Sequence, residues 1–340
     1  MYNIAVIGAT GVVGVEILNI LFERKFPVDK IYAVASNKSS GKPVSFGKEI
    51  LYTEDINVFN FRDIDIAFFA TSSEISRKFV PIAVKSGCIV IDKSSEYRQD
   101  KDIPLIIPEI NSEDLKLYKK KNIISSPNCT ITPLLMILKP LHDKFKVKRV
   151  VVSTYQSVSG SGKKAMDELY YQTKQFYEAA IMDIDEKKPE IYPKRIAFNC
   201  IPQAGAFVEN GYTEEELKMV NEAHKILHDD SIKITATCVR VPVFNCHAES
   251  INIEFENKFT LDEIYDLFEE VDGVLIVDRR EDGGYATQFE YAKTDDVIIS
   301  RLRVDDTVKY GLNLWCVCDN LRKGATLNGV QIAELLIKTL

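Results

Sequence analysis

The residues best suited to chemistry are a cysteine, a histidine and a run of spaced glycines. Cys129 lies in Ser125-Ser126-Pro127-Asn128-Cys129-Thr130-Ile131-Thr132-Pro133, between a β-like run, Asn122-Ile123-Ile124, and a helical pattern, Leu134 to Leu138. A thiol where a turn feeds a helix faces N–H groups that lack internal partners, at the positive end of the helix dipole. Its pKa falls there and the thiolate becomes a nucleophile. Pro127 and Pro133 stiffen the approach and are expected to stop the helix extending backwards. The competing reading is a small buried cysteine beside an N-cap Thr130. His247 is the obvious partner for a thiolate. With Arg240 it brackets Val241-Pro242-Val243-Phe244-Asn245-Cys246, a connection between strand-like runs.

The glycines form Gly8-Ala9-Thr10-Gly11-Val12-Val13-Gly14, after the apolar run Tyr2 to Ile7 and before a helical pattern through Ile17, Leu18, Leu21 and Phe22. In that context Gly8 permits a sharp turn, Gly11 lets backbone approach a phosphate, and Gly14 lets helix pack on strand. The next strand-like run, Lys30 to Ala35, ends in Ser36-Asn37-Lys38-Ser39. A carboxylate is common at that point in NAD-binding folds, where it holds the ribose diol. Hydroxyls and Lys38 would instead receive a 2′-phosphate, so NADP is the expected cofactor.

The chain has 340 residues, enough for two domains, and its net charge of -7 argues against a nucleic-acid or anionic-membrane partner. No apolar run reaches the length of a membrane span. The start of the chain already reads as a strand rather than a signal peptide. Seven cysteines with no regular framework read as reduced, cytoplasmic thiols. Cys316 and Cys318 have no second pair to complete a zinc site. His224 and His228, four apart on a polar helix, read as a solvated face, so no metal is expected.

Buried strand patterns and helices alternate down to Cys129, with runs at Ile64–Ala70 and Cys88–Asp92. Thr71-Ser72-Ser73 follows the first and Lys93 to Arg98 the second. This alternation predicts a doubly wound parallel sheet with ligands at the strands' carboxyl ends. After Cys129 the pattern becomes α+β. A strand over 148–155 leads into Gln156-Ser157-Val158-Ser159-Gly160-Ser161-Gly162, which suits a phosphate or cofactor loop and equally a plain hinge. A helix is expected from about Lys163 to Ala180. Another, from Thr213 to Leu227, is opened by a Thr213–Glu216 capping box. On it Glu215 and Lys218 are three apart and share a face, as a surface ion pair would. Strand-like runs over 234–241, 248–255 and 311–318, with a helix near Leu261 to Glu270, predict a largely antiparallel sheet. A closing amphipathic helix from Thr326 is expected to pack back on the first domain. The expected domains are 1–128 with 321–340, and 129–320.

Several of these motifs agree in order with one family. The Gly8–Gly14 turn, Ser94-Ser95-Glu96-Tyr97-Arg98, Ser126 to Thr130, Gln156 to Gly160, Asn199-Cys200-Ile201-Pro202, Glu215 to Lys218, Arg240 to His247 and Asn320 to Ala325 together resemble aspartate-β-semialdehyde dehydrogenase over essentially the whole chain. The resemblance implies a Rossmann-type NADP-binding domain and a catalytic and dimerisation domain, in the manner of glyceraldehyde-phosphate dehydrogenase. It implies that Cys129 is the nucleophile, His247 the general acid/base, and Gln156 and Asn128 their companions. Arg240 and Glu215 would bind the aspartyl substrate, and Arg98 and Lys218 phosphate. Gly8, Thr10, Gly11, Val12, Val13, Gly14, Ser36, Lys38, Ser39, Ser72, Ser159, Gly160 and Asn320 would contact NADP. The implied substrates are aspartyl phosphate, aspartate semialdehyde and phosphate, in a cytoplasmic homodimer that serves the lysine/diaminopimelate, threonine, methionine and isoleucine pathways.

Three other readings compete. An N-acetyl-glutamyl-phosphate reductase would carry Gly where Asn128 stands. A phosphorylating glyceraldehyde-phosphate dehydrogenase usually has a Gly-x-Gly-x-x-Gly turn and sets its Cys in another motif. A non-catalytic NADP-binding relative should have lost the Cys or the His, and both are present.

Overall fold

The computed structural model describes residues 1–178 and 189–340. They form two compact units: Met1–Thr132 with Lys225–His228 and Gly324–Leu340, and Pro133–His224 with Asp229–Lys323.

The first unit is built on strands β1 (Tyr2–Ile7), β2 (Val28–Ala35), β3 (Pro43–Phe46), β4 (Glu49–Tyr52), β5 (Glu54–Asp55), β6 (Ile66–Phe69), β7 (Ile89–Asp92) and β8 (Ile123–Ser125). Six of them make one parallel sheet in the order β5-β2-β1-β6-β7-β8. Both faces are covered, so the strands are apolar at consecutive positions. Ile4 and Val6 pack with Ile17, Leu18 and Leu21 of helix Val12–Glu23 and with Val330 and Ala333 of the closing helix Leu327–Leu336. Ala5 and Ile7 face the other way, toward Phe79 and Val80 of helix Ser73–Lys85. The chain reverses direction across the sheet between β1 and β6, the switch point at which such folds leave a crevice.

The β3–β4 hairpin was not legible in the sequence. It turns at Gly47, whose φ is +59°, and sets Phe46 against Phe22 with ring centroids 5.7 Å apart.

The second unit carries β9 (Val147–Gln156), β10 (Lys233–Arg240), β11 (His247–Phe255), β12 (Val274–Ile276), β13 (Val297–Asp305) and β14 (Gly311–Cys318), in the order β10-β9-β11-β14-β13-β12. The three central pairings are antiparallel, whereas the edges β10–β9 and β12–β13 are parallel. The sheet is therefore mixed, more so than the alternation in the sequence suggested. The helix expected from Lys163 to Ala180 is described as Lys163–Glu178; its last two expected residues lie outside the described residues. Helix Glu214–Leu227 opens with the expected box: Thr213 N donates to Glu216 Oε2 at 2.7 Å, and Glu216 N to Thr213 Oγ1 at 3.4 Å. It ends before His228, whose φ is +53°, so His224 and His228 do not share a helical face. Among the described residues no helix is long and apolar enough to cross a membrane.

Gly14 is fixed by contact rather than by dihedral angle. A Cβ there would lie 2.2 Å from the Gly8 carbonyl oxygen and 2.8 Å from Ala9 Cα, both backbone. Gly14→Ala is therefore expected to cost about 1–3 kcal/mol, the usual penalty for overpacking, read as a lowered Tm. An unchanged melting curve would contradict the close packing of helix on turn.

Candidate functional site

In the first unit the predicted residues sit at the carboxyl ends of neighbouring parallel strands. The Gly8–Gly14 turn follows β1, Ser36–Ser39 follows β2, Ser72 follows β6, Arg98 lies beyond β7 and Cys129 beyond β8. Gly8 has φ +89°, and a Cβ on it would lie 2.3 Å from the Ala70 carbonyl oxygen. Glycine is thus required for the turn to pass the end of β6. Thr10 and Gly11 are exposed, Gly11 caps helix Val12–Glu23, and no side chain in the turn occupies the cap. This bare helix start fits a dinucleotide's phosphates. Ser36, Lys38 and Ser39 surround a short turn over Asn37–Ser39. Sequence reasoning missed Asp55, which β5 brings beside that turn. Its carboxylate is already engaged, by Asn37 Nδ2 at 3.0 Å and by Asn57 Nδ2 at 2.8 Å, and these bonds hold its pKa low.

Cys129 is partly accessible, while Cys88, Cys238, Cys246, Cys316 and Cys318 are buried. Burial pushes all five of those thiols up, Cys88 to about 12. The residue that caps the following helix, Ile131–Phe145, is Asn128 and not Thr130, the N-cap of the competing reading. Asn128 Oδ1 accepts from Thr130 N and from Thr130 Oγ1, each at 3.0 Å, and its carbonyl accepts from Ile131 N at 3.2 Å and Thr132 N at 3.3 Å. The Asn128 side chain thus satisfies one N–H of the opening turn and also takes up Thr130's own hydroxyl. Cys129 thus stands immediately after the cap. Pro133 does not block the helix, which begins two residues earlier; a first turn needs no N–H from it. The loop is anchored at Ser126, whose Oγ accepts from Lys93 Nζ at 2.8 Å and Asn328 Nδ2 at 3.3 Å. Nothing in the local sequence marked Lys93 or Asn328, because both contacts are long-range.

The second unit gathers Gln156, Ser159, Gly160, Glu215, Lys218, Arg240, His247 and Asn320. Gln156 ends β9 and pairs directly with Arg240 at the end of β10, and His247 opens β11. Gln156 Nε2 donates to Glu215 Oε1 at 3.1 Å, and Lys218 Nζ donates to Glu215 Oε2 at 3.1 Å. Burial pushes Glu215 up, but Lys218, Gln156 and Arg240 together hold it below the usual carboxylate range. Asn320 Oδ1 accepts from the hydroxyls of Ser157 at 3.0 Å and Ser159 at 3.2 Å.

Ser157, inside the Gln156–Gly160 motif but given no role from sequence, organises this cluster. Its N–H donates to His247 Nδ1 at 3.0 Å, and its carbonyl accepts from Arg240 Nη1 at 2.8 Å. A backbone N–H can only donate, so Nδ1 accepts and the neutral ring carries its proton on Nε2. Burial, with the Arg240 charge added, takes the imidazole from 6.5 down to about 3, against the upward pull of Glu215. A Cβ on Gly160 would lie 3.1 Å from Arg240 Nη1 and 3.3 Å from His247 Nε2, so glycine lets the loop lie against both. Arg240 is buried with its guanidinium 5.9 Å from the Tyr192 ring centre, and its Nε has no hydrogen-bond partner among the described residues.

One further buried acid was missed. Glu249 lies two residues beyond His247 on the same face of β11, opposite Thr154 and Cys316. Neither carboxyl oxygen has a partner among the described residues, and burial holds its pKa well above the usual value. No cluster of three or more metal-ligating side chains occurs among the described residues.

Comparison with known proteins gives a consistent result across the chain. A family model described as semialdehyde dehydrogenase, NAD binding domain, matches residues 3–118, and one described as semialdehyde dehydrogenase, dimerisation domain, matches residues 138–323. An aspartate-semialdehyde dehydrogenase of Rickettsia bellii is 53% identical over 338 residues, covering 99% of this chain and 98% of the relative. That of Aquifex aeolicus is 45% identical over 338 residues, with the same 99% and 98% coverage. A crystal structure of aspartate semialdehyde dehydrogenase II from Vibrio cholerae, complexed with ASA, superposes with a TM-score of 0.95 at 41% identity, covering 99% of this chain and 98% of that one.

The buried imidazole generates a pH signature. With its pKa depressed in the fold, His247 contributes stability that is present above about 6.5 and lost as pH falls toward about 3. Below 6.5 the unfolded chain takes up a proton that the folded chain refuses, at a limiting slope of about 1.4 kcal/mol per pH unit. Glu249 titrates with the opposite sign, so the difference between wild type and His247→Asn isolates the imidazole. Denaturant melts from pH 7 to 4 should lose stability more steeply in wild type than in the variant. Parallel pH profiles would mean that His247 is not held neutral.

Proposed function

The chain belongs to the aspartate-semialdehyde dehydrogenase family, and from that premise we propose that it carries out the NADPH-dependent reductive dephosphorylation of L-aspartyl-4-phosphate to L-aspartate 4-semialdehyde, through a thioester on Cys129. The observation that carries the substrate is the pair of buried charges in the second unit. Arg240 is a guanidinium with a bare Nε, and Glu215 is a carboxylate held ionised. Together they complement the α-carboxylate and α-ammonium of an amino acid, the first in bidentate geometry.

In this reading the Cys129 thiolate attacks the β-carbonyl carbon, and the bond to the phosphate oxygen breaks. Phosphate leaves with the electron pair, received by Arg98 and Lys218. NADPH, held on the Gly8–Gly14 turn, would supply hydride to the thioester carbon. The resulting oxyanion takes a proton from His247 Nε2, the nitrogen that the Ser157 N–H leaves protonated. That proton returns as the carbon–sulfur bond breaks and the aldehyde departs. Gln156, tied to Glu215, orients the acyl group. The pathways served are those of lysine and diaminopimelate, threonine, methionine and isoleucine, and the working form is a homodimer, a reading supported by the dimerisation-domain match.

The test is phosphate-dependent NADP reduction with aspartate semialdehyde, run beside N-acetylglutamate semialdehyde. Turnover with the first alone is expected, and turnover with the second alone would move the chain to the other reductase. Cys129→Ala should abolish turnover while NADP still binds. An acyl-enzyme trapped on any other cysteine would sink the assignment.

Cofactor choice has its own check. Lys38→Glu should weaken NADP by about 1–3 kcal/mol, the size of a lost bond to a charged group, and leave NAD nearly unchanged. Equal losses would show that this turn does not read the 2′-phosphate.

A further inference from the structure

Lys225 sits near the end of helix Glu214–Leu227, two turns beyond Lys218. Its Nζ donates to three backbone carbonyls of a single loop: Arg98 at 2.6 Å, Asp100 at 2.7 Å and Ile103 at 2.8 Å. An ammonium has three donors and no acceptor, so one N–H is available to each of these carbonyls. Charge-assisted bonds of this length are stronger than those between neutral groups.

The loop's carboxylates have other partners. Asp100 pairs with Lys121 at 2.7 Å and Asp102 with Lys120 at 3.0 Å, both toward solvent. The loop also closes on itself, with Ile103 N donating to the Asp100 carbonyl at 3.1 Å. Lys225 therefore acts on the main chain, and its first acceptor is the carbonyl of Arg98 itself. The Arg98 side chain is buried and donates from Nη2 to the Lys93 carbonyl at 2.7 Å. One carbonyl thus fixes where Arg98's backbone lies, and another fixes where its guanidinium lies.

We propose that Lys225 is a positioning residue for phosphate: it pins the main chain of Arg98 so that the guanidinium is in place before the anion arrives. The inference rests on the reading of Arg98 as a phosphate ligand. It adds a second duty to the helix that already carries Lys218. Pre-ordering a charged side chain removes an ordering cost from binding, so its loss appears first in affinity for the anion.

The experiment is steady-state kinetics of phosphate-dependent NADP reduction for Lys225→Met and Lys225→Gln. Lys225→Met should raise KM for phosphate about tenfold, the equivalent of one such contact, with KM for NADP and kcat within about twofold. Lys225→Gln, which keeps two N–H donors, should fall between Lys225→Met and wild type. In an Arg98→Gln background Lys225→Met should add nothing to KM for phosphate, whereas in a Lys218→Ala background its full effect should persist. If a variant is folded but inactive, inorganic phosphate should protect it from thermal unfolding less than it protects wild type.

The assignment is overturned if Lys225→Met leaves KM for phosphate unchanged, raises every KM alike, or adds fully to Arg98→Gln. If wild type itself shows no phosphate dependence, the catalytic reading falls and this inference with it. A phosphate-dependent wild type matched by Lys225→Met removes only the role of Lys225.

Discussion

The second unit depends on what surrounds one serine backbone. Ser157 gives its N–H to His247, its carbonyl to Arg240 and its hydroxyl to Asn320. All four residues are buried, where an unmade hydrogen bond costs about 1–3 kcal/mol. The arrangement therefore has little freedom. Turning the imidazole would orphan the Ser157 N–H, and withdrawing Arg240 would orphan a carbonyl. The same bonds decide chemistry as well as shape, because they place the ring proton on Nε2. Burial first, and the nearby guanidinium second, then keep a second proton off the ring. A histidine in water would be a fair acid and a fair base near neutrality. Here its ring is held neutral, with the N–H at Nε2.

The two sheets position side chains in different ways. In the parallel sheet the chemistry-bearing residues lie on loops beyond the strand ends, and apolar cores on both faces fix where those ends fall. Loops can vary in length without disturbing the core, which suits the Gly8–Gly14 turn and the turn that carries Cys129. In the mixed sheet Gln156, Arg240 and His247 are strand residues. Their spacing is set by strand pairing, with Gln156 directly opposite Arg240. Side chains that must converge on one point tolerate little displacement, and a ladder holds such a set more closely than loops do.

Local signals were legible in the sequence and distant ones were not. The β1–Gly8–Gly14 turn, the Thr213–Glu216 box and the parallel sheet could be read because their causes lie within a few residues of one another. The hairpin of β3 and β4 escaped because its strands are only four residues long and expose apolar Ile50 and Tyr52, which blurs any inward–outward alternation. β13 escaped because its buried half is a continuous apolar run, which has no period of its own. At the site, Cys129 and His247 stood out by residue type. Ser157, Lys93, Asn328 and Lys225 did not, because each acts through a partner far along the chain. The cap offers the sharpest contrast. Thr130 and Asn128 are both good capping residues, and only the carbonyl geometry shows that Asn128 takes the role and leaves the cysteine directly behind it.

Glu249 shows how far the demands of the site extend into the core. A carboxyl with two bare oxygens in a sealed row of Thr154 and Cys316 is costly unless it stays protonated. Ionised, it would set a negative charge one strand step behind His247, on the face that carries Arg240 and Gln156. That charge would raise the imidazole's affinity for a proton and oppose the state that Ser157 and Arg240 impose. Protonated, it adds no charge to the field around the ring. Burial thus does the same work twice on this face, removing a proton from the histidine and keeping one on the glutamic acid, so that Arg240 and the Glu215–Lys218 pair remain the charges of this cluster.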